Sequence, residues 1–312
     1  MKKWVWISAG LAALLLLGMA GLGGYSYFSL KHTAKQVYAP LPDKPKYRSQ
    51  DKEVQSLPEK IDTGRLSPFT VMLLGVDERR GDRGRSDTIL IVTVNPKLEK
   101  VLMFNIPRDT RTEIASIGRQ DKINHAYAYD GIEGSMETVE HFLDMPIDYY
   151  VEVNMEGFKT VIDDLEGVEV DNQFPFSYEG FFFPEGRQHL NGEQALKYSR
   201  MRYDDPRGDF GRNERQRQIV ADVLRRAKQW DRLWQLPDLL KNVENHVRTN
   251  LTFDQMQDLI MKYRTRISEI ESTEIKGRGT MINGVYYFLV SDQERERIHD
   301  EIKRLLIESS SS

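Results

Sequence analysis

Between Tyr198 and Gln218 the chain runs Y-S-R-M-R-Y-D-D-P-R-G-D-F-G-R-N-E-R-Q-R-Q, which crowds Arg200, Arg202, Arg207, Arg212, Arg215 and Arg217 into one stretch of a protein of net charge -4. Local basicity against an acidic background marks a place for an anion. With Gly208 ending a loop and Asp209 opening a helix, Asp209, Arg212 and Gln216 share one helix face, and Ile219, Val223 and Ala227 continue that face inward. The polar groups therefore begin where a core stripe ends. Arginines beside a helix N-terminus, with its free N–H groups, hold phosphate or pyrophosphate in a planar fork of donors. A solvated basic helix is the competing reading, and it leaves the shared apolar stripe without a reason.

Acids stand at two strand ends. The run Val71 to Val76 enters Asp77, a loop rich in Gly and Arg follows, and Asp87 directly precedes the next apolar run. Leu102 to Pro107 likewise leads into Arg108 and Asp109. Two carboxylates at the mouths of neighbouring strands can share a hard cation such as magnesium, which takes one or two protein carboxylates and completes its shell with water and phosphate oxygens. A turn aspartate and a strand-capping aspartate explain the same two residues. His125, a single histidine in K-I-N-H, suits a structural hydrogen bond better than catalysis.

The elements that must position these groups alternate. Strands are expected at Phe69 to Val76, Thr88 to Val94, Val101 to Ile106, Tyr149 to Val153, Val168 to Val170 and Gly284 to Val290, the second and third joined by a hairpin through Asn95-Pro96-Lys97. Helical periodicity covers Gly134 to Leu143, Met155 to Leu165, Gly192 to Arg202, Phe210 to Trp230, Leu236 to Val247, Phe253 to Arg264 and Asp292 to Ile307. The aromatic run Phe174 to Pro184 reads as a hairpin covering a core edge. This is the pattern of an α/β fold, a layered α/β/α domain around a central mixed sheet with its ligand crevice at strand C-termini.

Composition sets the location. After Met1-Lys2-Lys3 an uncharged apolar stretch runs from Trp4 to about Gly24, with Tyr25, Tyr27 and Phe28 behind it. Residues 1–3 are thus expected as a cytoplasmic tail and 4–28 as a transmembrane signal-anchor helix, with the bulk outside the cytoplasm. A cleaved signal peptide ending near Gly18-Met19-Ala20 is the alternative. The polar, proline-spaced segment 29–67 reads as an extracytoplasmic stalk, 68–308 as one catalytic domain and 309–312 as a serine tail. The chain contains no cysteine, which suits the cell membrane of a Gram-positive bacterium, in single-pass type II orientation, better than an animal secretory route.

The set L-L-G-V-D, R-S-D-T, N-I-P-R-D-T, K-I-N-H-A-Y, L-N-G-E-Q-A-L-K-Y-S-R-M-R and G-D-F-G-R-x-x-R-Q, in order from Phe69 to Trp230, resembles the LytR-CpsA-Psr family of cell-wall glycopolymer transferases. The resemblance implies a phosphotransferase. Such an enzyme takes wall teichoic acid or a similar anionic glycopolymer from undecaprenyl pyrophosphate and attaches it, with its proximal phosphate, to the C6 hydroxyl of N-acetylmuramic acid in peptidoglycan. It also implies that Asp77 and Asp87 hold Mg2+ and that Arg108, Arg200, Arg202, Arg212 and Gln216 contact pyrophosphate and substrate. Asp209 matches a further acidic position, and Arg85 and Lys122 are additional phosphate ligands of the same pattern. Either Asp77 or Asp209 can serve as base.

Two other functions fit parts of the sequence. A polyprenyl pyrophosphatase would use the same acids and arginines with water as acceptor. A membrane-bound transcription attenuator would need a DNA-reading module, and the three residues before the apolar stretch cannot form one, so no nucleic-acid partner is expected.

Overall fold

A computed structural model of the chain describes residues 31–42, 46–76, 84, 86–229 and 236–308. The anchor at 4–28, the tail at 309–312, and the site residues Asp77 and Arg85 lie outside them. Among the described residues no helix is long and apolar enough to cross a membrane.

Three apolar runs form the centre of a six-stranded sheet: β1 (Phe69–Val76), β2 (Ser86–Asn95) and β3 (Lys100–Asn105). β1 pairs antiparallel with β2, Val71 opposite Val92, and β2 pairs antiparallel with β3. The expected hairpin between β2 and β3 is present, and Asn95 Oδ1 closes it by accepting from the N–H groups of Lys97 and Leu98. Beside β1 runs β6 (Tyr149–Asn154) in parallel, and β12 (Glu269–Ser272) runs parallel to β3. The short β11 (Val247–Thr249) completes the order β11-β6-β1-β2-β3-β12, so the sheet is mixed.

Strand alternation divides the core. Met72, Leu74, Ile89, Ile91 and Phe104 point to one face, where α2 (His125–Leu143) and α8 (Asp292–Ile307) supply Met136, Val139, Phe142, Ile298 and Ile302. Val71, Leu90, Val92, Val101 and Met103 point to the other, where α5 (Asp209–Gln229) supplies Ala221 and, partly buried, Val220 and Leu224. The α/β/α layering follows from this two-sided burial. A third cluster joins α3 (Met155–Asp164) and α4 (Gly192–Arg200) to β7 (Val168–Asn172), β10 (Gly186–Leu190) and the hairpin of β8 (Phe176–Tyr178) and β9 (Phe181–Phe183). That hairpin is the aromatic run read from sequence, with Phe176 and Phe183 buried and Glu179-Gly180 turning at positive φ.

Several boundaries differ from expectation. α2 begins nine residues before Gly134, at His125, because Gly131 at φ 61 kinks it and interrupts the apolar period. α4 stops at Arg200 instead of Arg202, since Met201 turns to extended backbone at ψ 134. The helix expected to Arg264 ends as α7 (Phe253–Asp258), then widens to a π turn over Leu259–Tyr263. α6 (Leu236–Val243) is shorter than expected. The late strand expected at Gly284 to Val290 is present as β14 (Val285–Leu289), but its partner β13 (Arg278–Ile282) and the hairpin of β4 (Arg111–Ile114) with β5 (Arg119–Lys122) were not read from sequence.

The segment expected as a stalk enters the domain. Ala34, Val37 and Val54 are buried, and Val54, in the one-turn helix α1 (Lys52–Gln55), belongs to the α2 and α8 core. Asp144 accepts from the Tyr47 and Ser49 hydroxyls, each at 3.0 Å, and Asp51 from Lys303 at 2.9 Å. Lys46 meets the buried Asp148 at 2.6 Å.

Candidate functional site

The third cluster and the sheet leave a cavity of about 310 Å³ between them, in the size range of small-molecule sites. Leu73 and Leu90 form its floor, and Phe158, Leu196, Val220 and Tyr178 its walls. Two helix starts fix those walls. Asn154 caps α3 by accepting from Gly157 N–H at 2.9 Å, and Asn191 with Gln194 forms a capping box on α4. The mouth is of opposite character, carrying Asp87, Arg108, Arg200, Arg202, Arg212 and Gln216. One end of a ligand here meets hydrocarbon and the other meets guanidinium groups.

Arg212 is the centre of the mouth. As read from sequence, α5 opens at Asp209 after Gly208, whose φ of 56 makes the turn, and Arg212 lies one turn inside. Its side chain is 7 % exposed, with Nη2 2.8 Å from Asp209 Oδ1 and 3.4 Å from the Asp87 carbonyl. The Asp209 contact lacks hydrogen-bond alignment. Among the described residues, Arg212 Nε and Asp209 Oδ1 are buried without a hydrogen-bond partner. Each such orphan costs about 1–3 kcal/mol until something pairs it.

Electrostatics agree with the geometry. Burial pushes the Arg212 guanidinium below its ordinary pKa, and the cations of Arg108 and Arg202 add to this against Asp209 and Asp87. The group remains a cation at neutral pH but an under-compensated one, the condition that favours an anionic ligand. Arg108 differs. Burial works against its charge too, yet Asp87, Asp209 and Asp109 outweigh burial and raise its pKa. Its Nη1 donates to Asp87 Oδ1 at 2.5 Å.

The six arginines of the sequence stretch do not act as one cluster. Arg215 faces inward, donating to the carbonyls of Tyr198 at 3.1 Å and Met201 at 2.5 Å and to Asp205 at 2.5 Å. It ties down the end of α4 and so sets Arg200 and Arg202 on the rim. Gly211 makes room, since a Cβ there would fall 1.9 Å from Asp205 Oδ2. Arg217 donates to Asn105 and Glu274, and Arg207 pairs with Glu214 and Glu274. These three are fasteners. Arg200 lies 3.3 Å from Glu179, and Arg202 donates to the Tyr203 hydroxyl at 2.6 Å while its guanidinium sits 4.6 Å from that ring centroid.

The remaining sequence candidates take separate places. Gln216 lines the cavity and accepts from Asn105 at 3.1 Å. Lys122 is one residue pair removed from the mouth, bound to Asp109 at 2.6 Å, whose Oδ2 is 3.9 Å from Arg108 Nε. His125 hydrogen-bonds Asp121 at 2.8 Å, as a structural residue would. Sequence reading missed Tyr203, Asn105 and the placement of Asp109. Asp109 followed a strand end like Asp77, and Asn105 opens the N-I-P-R-D-T motif, which were the available signals; Tyr203 carried none.

For a magnesium ion the described residues offer a partial set. They hold no group of three His, Cys, Asp or Glu fit to cage a metal. Asp87 is half exposed, at 47 % of its side chain, and only Oδ1 is engaged by Arg108 among the described residues. One available carboxylate fits an ion that draws its other ligands from phosphate and water.

Comparison with known proteins is consistent in kind. The LytR_cpsA_psr family model matches residues 25–304. The polyisoprenyl-teichoic acid–peptidoglycan teichoic acid transferase TagU of Bacillus subtilis is 44 % identical over 299 residues, covering 95 % of each chain. The structure of TagT bound to LIIa-WTA superposes with a TM-score of 0.72 at 27 % identity, over 86 % of this chain and 99 % of that one. The structure of TagT with bound octaprenyl pyrophosphate lipid gives a TM-score of 0.67 at 27 % identity, with the same coverage.

Proposed function

The chain belongs to the LytR-CpsA-Psr family, and from that premise we propose that it transfers wall teichoic acid, or a similar anionic glycopolymer, from a polyprenyl-pyrophosphate carrier to peptidoglycan. The observation that carries this reading is the joining of an apolar cavity to a buried, under-compensated Arg212 at its mouth. A prenyl chain fits the first and a pyrophosphate the second. TagT with octaprenyl pyrophosphate and the teichoic acid transferase TagU support the assignment by likeness.

The chemistry is a displacement at phosphorus. A sugar hydroxyl, in this reading the C6 hydroxyl of N-acetylmuramic acid, attacks the phosphorus that bears the polymer. The bond to the second phosphate breaks, and polyprenyl phosphate, undecaprenyl phosphate in the reading adopted here, departs toward the cavity. Arg108, Arg202 and Arg212 neutralise the non-bridging oxygens, where charge must be stabilised throughout. Asp209 keeps Oδ1 without a hydrogen-bond donor and would accept the proton of the attacking hydroxyl. Mg2+, held by Asp87 and, outside the described residues, Asp77, would supply further charge neutralisation on the pyrophosphate. The apolar segment at 4–28 would hold the domain on the outer face of the membrane, where carrier and acceptor meet.

The test is a transfer assay with a labelled polyprenyl-pyrophosphate-linked polymer and a muramyl glycan. Label appearing on the glycan, with polyprenyl phosphate released in equal amount, is the expected result. Equal release of polyprenyl phosphate with and without glycan, and no labelled glycan, would identify a pyrophosphatase instead.

A further inference from the structure

A groove of about 920 Å³ opens where the β4–β5 and β13–β14 hairpins meet the start of α8, and the site described above does not use it. Arg111, Lys276, Arg278, Arg295 and Arg297 line it against only Asp292 and Glu294, in a protein of net charge -4. The two carboxylates are already answered. Glu294 pairs with Arg297 at 2.6 Å, and Asp292 lies 3.6 Å from Arg295. Arg111, Lys276 and Arg278 have no carboxylate within salt-bridge distance among the described residues. A merely solubilising surface intersperses both signs.

The groove connects to the reaction centre through an unbroken series of contacts. From Asp87 the series passes to Arg108 at 2.5 Å, and the adjacent Asp109 binds Lys122 at 2.6 Å. Lys122 Nζ and Arg111 Cζ each lie 5.9 Å from the ring centroid of Tyr287, and Arg111 is the groove's near wall. Along β14 Tyr287 shares its strand face with Leu289, which also lines the groove. Phe288, on the opposite face, is buried at 5.5 Å from Phe210, and its N–H donates to the Asp109 carbonyl at 2.8 Å. The hairpin is thus fixed relative to both Asp109 and the start of α5.

We propose that this groove is a track for the anionic polymer of the donor, with Tyr287 against the sugars next to the transferred phosphate and Arg111, Lys276 and Arg278 on phosphates further along the chain. The proposal rests on reading the site as a glycopolymer transferase. Its physical basis is charge complementarity in sequence with the reacting phosphate: the lipid occupies the cavity on one side of Arg108, and the polymer must leave on the other. Arginine is suited to phosphodiesters by its fork of donors, and the tyrosine ring offers an apolar face with a polar tip.

Two donors separate this proposal from the reading beneath it: a polyprenyl-pyrophosphate disaccharide with no repeats, and the same disaccharide bearing a long glycerol-phosphate chain. The full chain should favour the long donor in kcat/KM by about tenfold, the scale of one charge-assisted contact. Arg111→Ala with Arg278→Ala should erase that preference while the repeat-free donor is used as before, and high salt should narrow the preference in the parent. Free poly(glycerol phosphate) should bind the parent and bind the double variant at least several-fold more weakly, a readout that holds even if the parent catalyses no transfer. Unchanged length preference and unchanged polymer binding would overturn the track. So would a rise in KM for the acceptor glycan with donor preference intact, which would make the groove an acceptor site.

Discussion

Arg212 and Arg215 stand one turn apart on α5 and are equally buried, at 6 % and 5 % exposure, yet they do opposite things. Arg215 commits each of its three nitrogens to the protein, on two carbonyls and one carboxylate. Arg212 has one misaligned carboxylate, one distant carbonyl and an orphaned Nε. Burial alone therefore does not distinguish a fastener from a binding residue. What distinguishes these two residues is whether the protein itself engages every nitrogen of the guanidinium.

The largest effect should come from breaking the fastener. Arg215→Ala leaves the buried Asp205 without its cation and two carbonyls without a donor, and should lower stability by about 3–5 kcal/mol, seen as a large fall in unfolding temperature. Arg215→Lys should recover little, because one ammonium cannot span three acceptors. Arg212→Ala should act the other way round. Loss of a donor aimed at transition-state charge costs about 2.7–4 kcal/mol in rate, while removal of an under-compensated buried cation leaves stability equal or slightly raised. A thermal shift as large as that of Arg215→Ala, with transfer preserved, would erase the distinction.

A smaller effect tests the metal. If Mg2+ joins Asp87 to the pyrophosphate, Asp87→Ala should weaken donor binding about tenfold in magnesium and much less in chelator. Equal donor affinity of the parent in magnesium and in chelator would place the whole charge load on the arginines.

The smallest test sharpens the comparison with a carboxylate, Glu140, that has no cation in ion-pair contact among the described residues and solves the problem differently. Burial pushes Glu140 up to about 8, and Asp148 adds to the rise against Lys46 and the Ile147 N–H. The folded state thus holds a proton that the unfolded state releases near its ordinary carboxylate pKa. Its contribution is full at low pH and is lost as pH rises from about 5 toward 8. Glu140→Gln should flatten part of the decline in unfolding temperature across that interval, leaving the share due to Asp148, whose pKa burial also raises. An unchanged slope would place the ionised carboxylate in the fold.

Much of this was legible before any coordinates. β1, β2 and β3 were visible because both their faces are buried and their runs are continuously apolar, and the Asp209, Arg212 and Gln216 face was visible because helical spacing is strict. β4 and β5, reading RTEI and RQDK, were not, because they contribute a polar rim and almost no core. The division of labour among arginines was also hidden. Arg217 finds Glu274 and Asn105 far away in sequence, and Arg215 finds main-chain carbonyls, which no residue type announces.

The bond between Lys46 and Asp148 decides where a shortened form of this protein can begin. A fragment starting at 68, the boundary that proline spacing suggests, would strand a buried carboxylate and strip three partners, Tyr47, Ser49 and Gln50, from Asp144. It would also uncover the part of the core that Val54 fills. A cut ahead of Ala34 keeps all of these, together with the bridge from Tyr38 to Thr249 that shields the short edge strand β11. Crystallographers and enzymologists trimming the chain for expression should treat the described residues from Ala34 to 67 as part of the folded body, and expect aggregation when they are removed.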